Sequence, residues 1–348
     1  MKSGALEGAP GAVAGRAADP NDGRGGPPAS RLPFLPAGRA GWMTLLRANG
    51  LIIFFVLLII VFSLIRPEFA STANLRNILL SASVMGILAI GQTLVVLTGG
   101  FDLGVARAAA LAGMVVLLTS HFGPVGAVLG TFVVVGLVGL VNGLLVAKGK
   151  VAPFVVTLGM YTILGSLTLL VNDGGSLNDE TSWLKPLTSF SLFSLSGSTW
   201  WFLGIAVIFQ LVLSHTRYGR QIYAVGGNYE AARLAGIRAD RVVVSAYVLC
   251  ALLAGVAGIL LTSRLHMASP VALPGVELDA MAAVIIGGTR MRGGFGSVWR
   301  TVVGVLVLYS LTSGLVLLGV AAYWQGVLKG TVIIVAVLVD VVFNKKRR

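Results

Sequence analysis

The chain has 348 residues, of which 56% are hydrophobic and 11% charged, against roughly 25% charged in soluble domains. That balance excludes a water-soluble globule. The formal net charge of +13 would suit nucleic acid, but in so apolar a chain basic residues report membrane orientation, and no nucleic-acid partner is expected.

Residues 1–44 are rich in Gly, Ala, Pro and Arg without apolar periodicity, which predicts a disordered tail. A signal peptide is not expected, because the apolar run starts late and no small-residue cleavage site precedes Arg66 and Pro67. From Leu51 to Ile65 only Ser63 interrupts Leu, Ile, Val and Phe. Such a run favours membrane insertion by roughly 4 to 8 kcal/mol. Spans are expected at about 48–65, 78–98, 104–120, 124–147, 154–171, 200–213, 242–263, 279–289, 302–319 and 324–343. The predicted fold is an all-α integral membrane protein of about ten transmembrane helices, with a membrane domain over 45–343 and a basic tail at 344–348. In the fourth span Gly126 with Gly130, and Gly139 with Gly143, put small residues four apart, so a neighbouring helix can approach closely. The eighth span is too short to cross unaided and runs into the Gly-rich stretch from Gly287 to Gly294, which predicts a broken or re-entrant helix.

With the N-terminus cytoplasmic, most Lys and Arg residues fall inside, and Arg66, Arg76, Lys185 and Arg264 fall outside; Lys329 lies within the last span. This asymmetry predicts that both termini and the loop around Glu230 are cytoplasmic, and that the polar loop from Asn172 to Thr199 is external. The single cysteine, Cys250, leaves no intrachain disulfide and reads as packing.

The three histidines, His121, His215 and His266, are scattered, and there is no His-Glu-x-x-His or Cys-x-x-Cys spacing, so no metal site and no catalytic residues are expected. The chain also lacks a Gly-x-x-x-x-Gly-Lys-Ser/Thr loop; any ATP must act through a partner, and no cofactor is expected on this chain. An ion-coupled secondary transporter of a small polar solute is the alternative reading. It is weakened by the scarcity of carboxylates in the spans, where the candidates are Asp102, Glu277, Asp279 and Asp340. Glu277 and Asp279 open a helix, where the macrodipole favours acids. Asp102 and Arg107 are close in sequence at a junction of spans, and are expected to pair or to lie near water.

The most informative polar stretch runs from His215 to Ile237. Asn228 is a good N-cap, Glu230 complements the positive helix end, and Gly236 fits a left-handed stop. A short helix follows between two spans, and one so short must be held by packing.

These residues resemble the permeases of the ribose-type family of bacterial ABC sugar importers over roughly residues 45–345. The resemblance is carried by the run Gly91-Gln92-Thr93 to Gly99-Gly100-Phe101-Asp102-Leu103, by Asn142-Gly143 with Pro153-Phe154, by the stretch Gly226 to Ile237, by Glu277 to Thr289 and by Leu317 to Val320. It implies an importer permease carrying a monosaccharide, pentoses such as ribose foremost, across the bacterial inner membrane. The implied partners are a cytoplasmic ATPase holding ATP and magnesium, a periplasmic or lipoprotein sugar-binding protein, a second permease copy and membrane lipid. It further implies an ATPase-coupling helix formed by Gly227, Asn228, Glu230, Ala231, Ala232, Arg233, Leu234 and Gly236, and a substrate pathway touched by Gln92, Thr93, Asp102, Asn142 and Thr289. The chain departs from the family pattern at Gly104-Val105-Ala106-Arg107, where Ser-Val-Gly-Ser is usual, and at Arg290, Arg292 and Arg300.

Overall fold

Local chemistry sets the helix ends in this computed structural model, which describes residues 39–331 and 334. The helices are α1 (Arg39–Ile65), α2 (Thr72–Leu97), α3 (Val105–Leu118), α4 (Gly123–Ala147), α5 (Pro153–Leu170), the single turn α6 (Pro186–Ser189), α7 (Gly197–His215), α8 (Arg217–Gly227), α9 (Tyr229–Leu234), α10 (Ala239–Leu265), α11 (Val276–Ile286) and α12 (Val298–Leu317). Residues 322–331 are helical as well. Among the described residues six helices are long and apolar enough to cross a membrane: α2, α4 with the turn before it, α5, α7, α10 and α12. Gly50–Ile65 of α1 and the whole of α3 are shorter apolar helices. Each expected span overlaps a helix, the last one over its described part, and among the described residues the regular structure is helical apart from two-residue strand pairs. The end of the last expected span and the tail 344–348 lie outside the described residues.

Met1–Ala48 form a unit of their own. Within it α1 opens at Arg39, inside the stretch 1–44 assigned to a tail, and residues 1–38 lie outside the described residues. All that follows concerns Asn49–Arg348.

Ser71, Ser196 and Ser297 cap α2, α7 and α12, each accepting a backbone N–H three residues on. Pro124 and Pro153 stand in the first turns of α4 and α5, where a missing N–H costs nothing. α2 is the axis of the bundle and is buried without interruption from Ala82 to Leu97. α10 packs along it, with Gly91 facing Cys250, the buried free thiol. Small residues set these approaches. A Cβ at Gly139 would lie 2.6 Å from the Tyr247 carbonyl oxygen, and one at Gly143 2.8 Å from the Val244 Cα, so α4 meets α10 backbone to backbone. Gly258 does the same for α10 on α3, and Gly304 for α12 on α11. Gly126 and Gly130 behave differently: they face Phe122 and Thr119 in the turn before α4, not another spanning helix.

Between α5 and α7 the chain forms β1 (Leu177–Asn178), then β2 (Ser191–Leu192) and β3 (Leu195–Ser196) as a hairpin. β1 pairs antiparallel with β4 (Met267–Ala268), which follows α10. α11 has 11 residues, about 16 Å of helix, and gives way to the glycine-rich stretch expected to break it. Gly288, Gly293 and Gly294 there all have positive φ.

Gly143→Val should sharply lower the recovery of folded protein and its thermal midpoint on detergent size-exclusion chromatography. Overpacking of this kind costs about 1–3 kcal/mol or more. Gly204→Ala, where nothing lies within 4 Å of a built Cβ, should leave both unchanged.

Candidate functional site around α9

α8 is amphipathic. Thr216 caps it by accepting the Gly219 N–H at 3.1 Å, and Gly219, Ile222 and Val225 face the bundle. Its last residues, Gly226 and Gly227, lead into Asn228, whose extended backbone turns the chain and whose Oδ1 accepts the Ala231 N–H at 2.9 Å. α9 then ends in a Schellman motif. Ile237 N–H donates to Ala232 O, Gly236 N–H donates to Arg233 O, both at 3.0 Å, and Gly236 takes the left-handed conformation with φ +84°.

The first residue of α9 is tied down. Lys150 Nζ, from the α4–α5 connection, donates to Tyr229 Oη at 2.9 Å and lies over the Tyr229 ring, and Tyr229 Oη in turn donates to Asp240 of α10. The bond to Tyr229 is the chief cause that raises the Lys150 ammonium above its usual range. Beside it lies a recess of about 380 Å³ lined by residues including Thr98, Gly99, Gly100, Val146, Tyr229 and Glu230.

Of the residues assigned to coupling, Gly227, Asn228, Glu230, Ala231, Arg233, Leu234 and Gly236 are exposed. Leu234 is 84% exposed, whereas Ala232 is 5% exposed and packs into the protein's own core. Ala232 therefore supports α9 from beneath and offers no contact surface. Glu230 and Arg233 pair with each other at 3.0 Å across one helical turn.

The residues assigned to a substrate pathway lie inside the chain. Gln92, Thr93 and Asn142 are fully buried, and Asp102 and Thr289 are nearly so. None of them lines the recess. Asp102 Oδ1 accepts the Gly104 N–H at 2.8 Å, and the Asp102 N–H donates to Gln92 Oε1 at 3.3 Å. Gln92 Nε2 reaches Met281 Sδ of α11, and the Thr93 and Thr301 hydroxyls meet at 2.7 Å. The Asn142 amide and the Thr289 hydroxyl have no hydrogen-bond partner. The Asp102 carboxylate is almost wholly buried, with the Asn142 side chain beside it.

Asp102 does not pair with Arg107. Arg107 Nη2 donates to Tyr161 Oη of α5 at 3.0 Å, its guanidinium 4.8 Å from the ring centroid. Sequence reasoning also missed α8, the Lys150–Tyr229–Asp240 anchor and the 3.6 Å pair between Asp279 and Lys329. For that last pair a signal existed: a lone lysine in an apolar span needs a partner. Among the described residues no group of His, Cys, Asp or Glu could hold a metal ion.

The family model for the branched-chain amino acid transport system permease component matches residues 74–337. The ribose import permease protein of Bacillus subtilis (strain 168) is 41% identical over 298 residues, covering 82% of this chain and 90% of that protein. The ribose import permease protein of Escherichia coli (strain K12) is 40% identical over 311 residues, covering 87% and 95%. The L-arabinose transport system permease protein of the same strain is 33% identical over 303 residues, covering 86% and 92%. No solved structure matches the chain.

Proposed function

This chain belongs to the branched-chain amino acid transport system permease component family, and on that premise we propose that it is the membrane-spanning subunit of an ATP-driven importer whose cargo is a monosaccharide of the pentose class. The observation that carries the reading is the identity of about two residues in five, across nearly the whole length, to ribose import permeases. L-arabinose permeases match over the same extent. The chain is a multi-pass membrane protein and not an enzyme, and the ATPase activity resides on a partner chain. About ten crossings of the inner membrane, with both termini and α9 cytoplasmic, fit the distribution of basic residues.

In this reading α9 is the coupling element. It is a rigid turn, capped at both ends and anchored through Tyr229 to Lys150 and Asp240. It presents Ala231 and Leu234 outward for a groove of the ATPase, which binds ATP and magnesium. Leu234 is an apolar side chain left almost wholly uncovered at the polar end of the bundle, and covering it would give docking energy that the Glu230–Arg233 pair, exposed and self-satisfied, does not. A second permease copy closes the path, a sugar-binding protein delivers the cargo on the opposite face, and lipid covers the remaining apolar surface. Gln92, Asp102 and Asn142 sit too deep to touch cargo in this conformation and act on the path through the loop and helix they hold.

Leu234→Glu should leave insertion and thermal stability unchanged while ATPase copurification and ATP-dependent sugar uptake both fall by roughly tenfold or more, as loss of a buried apolar anchor would cause. Ala232→Trp should instead fail at folding, with little protein recovered from the membrane. Parental uptake by well-expressed Leu234→Glu protein would remove α9 from the coupling role.

A further inference from the structure

We propose that Arg290, in the connection between α11 and α12, and Arg300, in the first turn of α12, hold the phosphate of an anionic phospholipid at the inner-leaflet boundary; this rests on the permease reading for the cytoplasmic placement of that connection. The loop is a closed turn. The Arg290 N–H donates to Phe295 O at 3.0 Å and the Gly293 N–H donates to Arg290 O at 2.9 Å, with Gly293 and Gly294 at positive φ. Phe295 then gathers two guanidiniums on one ring: that of Arg290 lies 4.8 Å from the ring centroid and that of Arg300 5.6 Å. The Arg300 head also lies against the turn at Gly288, where a built Cβ would be 3.6 Å from Nη1. Both arginines are exposed, and no carboxylate of the described residues lies within ion-pair distance of either. Like charges gathered in this way repel, an anion beside them relieves the repulsion, and the planar fork of arginine matches a phosphate.

The surroundings select the source of that phosphate. The Trp299 N–H donates to Gln210 Oε1 at 3.3 Å, and Gln210 stands five residues before the last residue of α7, about 8 Å inside that helix. α7 is long and apolar enough to cross a membrane, and Val207, Ile208 and Leu211 are uncovered on it at this level. The start of α12 therefore lies beside the open apolar stripe of α7, short of its end, where hydrocarbon gives way to headgroups. The exposed side chains here have the composition of such a boundary. Met291, Phe295 and Trp299 are 50, 45 and 45% exposed and stand among the arginines, which suits acyl chains on one side and anionic headgroups on the other. A free phosphate would leave these three apolar side chains in water, whereas a phospholipid covers them with its chains while its phosphate meets the arginines.

The test uses the full-length chain in phosphatidylcholine vesicles, with chain-brominated phosphatidylglycerol or chain-brominated phosphatidylcholine as the quenching probe. The share of tryptophan quenching that is lost in Trp299→Phe reports the site. Phosphatidylglycerol should associate there more strongly than phosphatidylcholine by roughly tenfold, the effect of two basic side chains on an anionic headgroup. Arg290→Gln with Arg300→Gln should abolish the preference, and Arg238→Gln, which removes an exposed arginine before α10, should keep it. Equal quenching by the two lipids in the parental protein would overturn the inference without recourse to any variant. Loss of the preference to inorganic phosphate at matched ionic strength would also overturn it, by making the ligand a free anion. So would an unchanged preference in the double variant with ATPase copurification lost, which would make the loop a contact for the ATPase. All three results leave the permease reading intact. In a Cys250→Ala background, Met291→Cys should be shielded from an impermeant thiol reagent added outside spheroplasts; labelling there would overturn the topology of the permease reading and the inner-leaflet site with it.

Discussion

A backbone contact at one end of the bundle constrains the rest. A Cβ at Gly226 would lie 1.8 Å from the Leu97 carbonyl oxygen and 2.5 Å from the Gly294 nitrogen, and one at Gly293 would lie 2.8 Å from both Leu97 O and Gly99 N. Three segments distant in sequence therefore meet without side chains between them, and the Gly294 N–H closes the contact by donating to Leu97 O at 3.0 Å. Tyr223 adds a bond from α8 to Gly296 O at 2.9 Å. A junction this tight has no room to slide, so α8, the end of α2 and the α11–α12 connection move together or not at all.

That rigidity gives α9 a route into the membrane. α9 begins three residues after Gly226, and Leu97, the last residue of α2, leads into the loop in which Asp102 accepts the Gly104 N–H and donates its own N–H to Gln92. In the coupling role proposed for α9, its displacement is passed to the axis of the bundle and to the two short helices, α3 and α11. Those are short, 14 and 11 residues, and each is followed by a glycine-containing loop. The long helices α4 and α10 are locked by Gly139 and Gly143 and serve as the frame.

Elements governed by neighbours in sequence were legible in the sequence. Hydropathy located the long apolar helices, though not the amphipathic α8. The cap at Asn228 and the stop at Gly236 defined α9, because a cap is a bond between residues three apart and a left-handed stop is a property of one residue. What depended on distant helices was not legible. Ala232 and Leu234 are both apolar and two apart, and only the placement of the core beneath α9 makes one a support and the other a surface. Arg107 had an acid five residues away, yet the doubling back of the chain turns Asp102 towards Gly104 and offers Arg107 a tyrosine from α5. Of the residues assigned to the pathway, Gln92 and Asp102 bond to each other and all five are buried, an arrangement set by distant helices that no local pattern records.

The buried polar groups of the membrane domain follow one pattern that bears on its mechanism. Threonine hydroxyls along the helices, such as Thr131, Thr157 and Thr168, return a hydrogen bond to the carbonyl four residues earlier and demand nothing of their neighbours. Other groups reach across elements, among them Gln92 to Asp102 and Met281, Thr93 to Thr301, Ser83 to Thr199 and Asp279 to Lys329. The buried Asn142 amide and Thr289 hydroxyl have no hydrogen-bond partner among the described residues, and such burial costs free energy. Bonds that cross between a frame and short helices specify one relative placement, and unsatisfied groups beside them weaken it. A transporter needs both properties, since a path held too firmly in one state could not alternate.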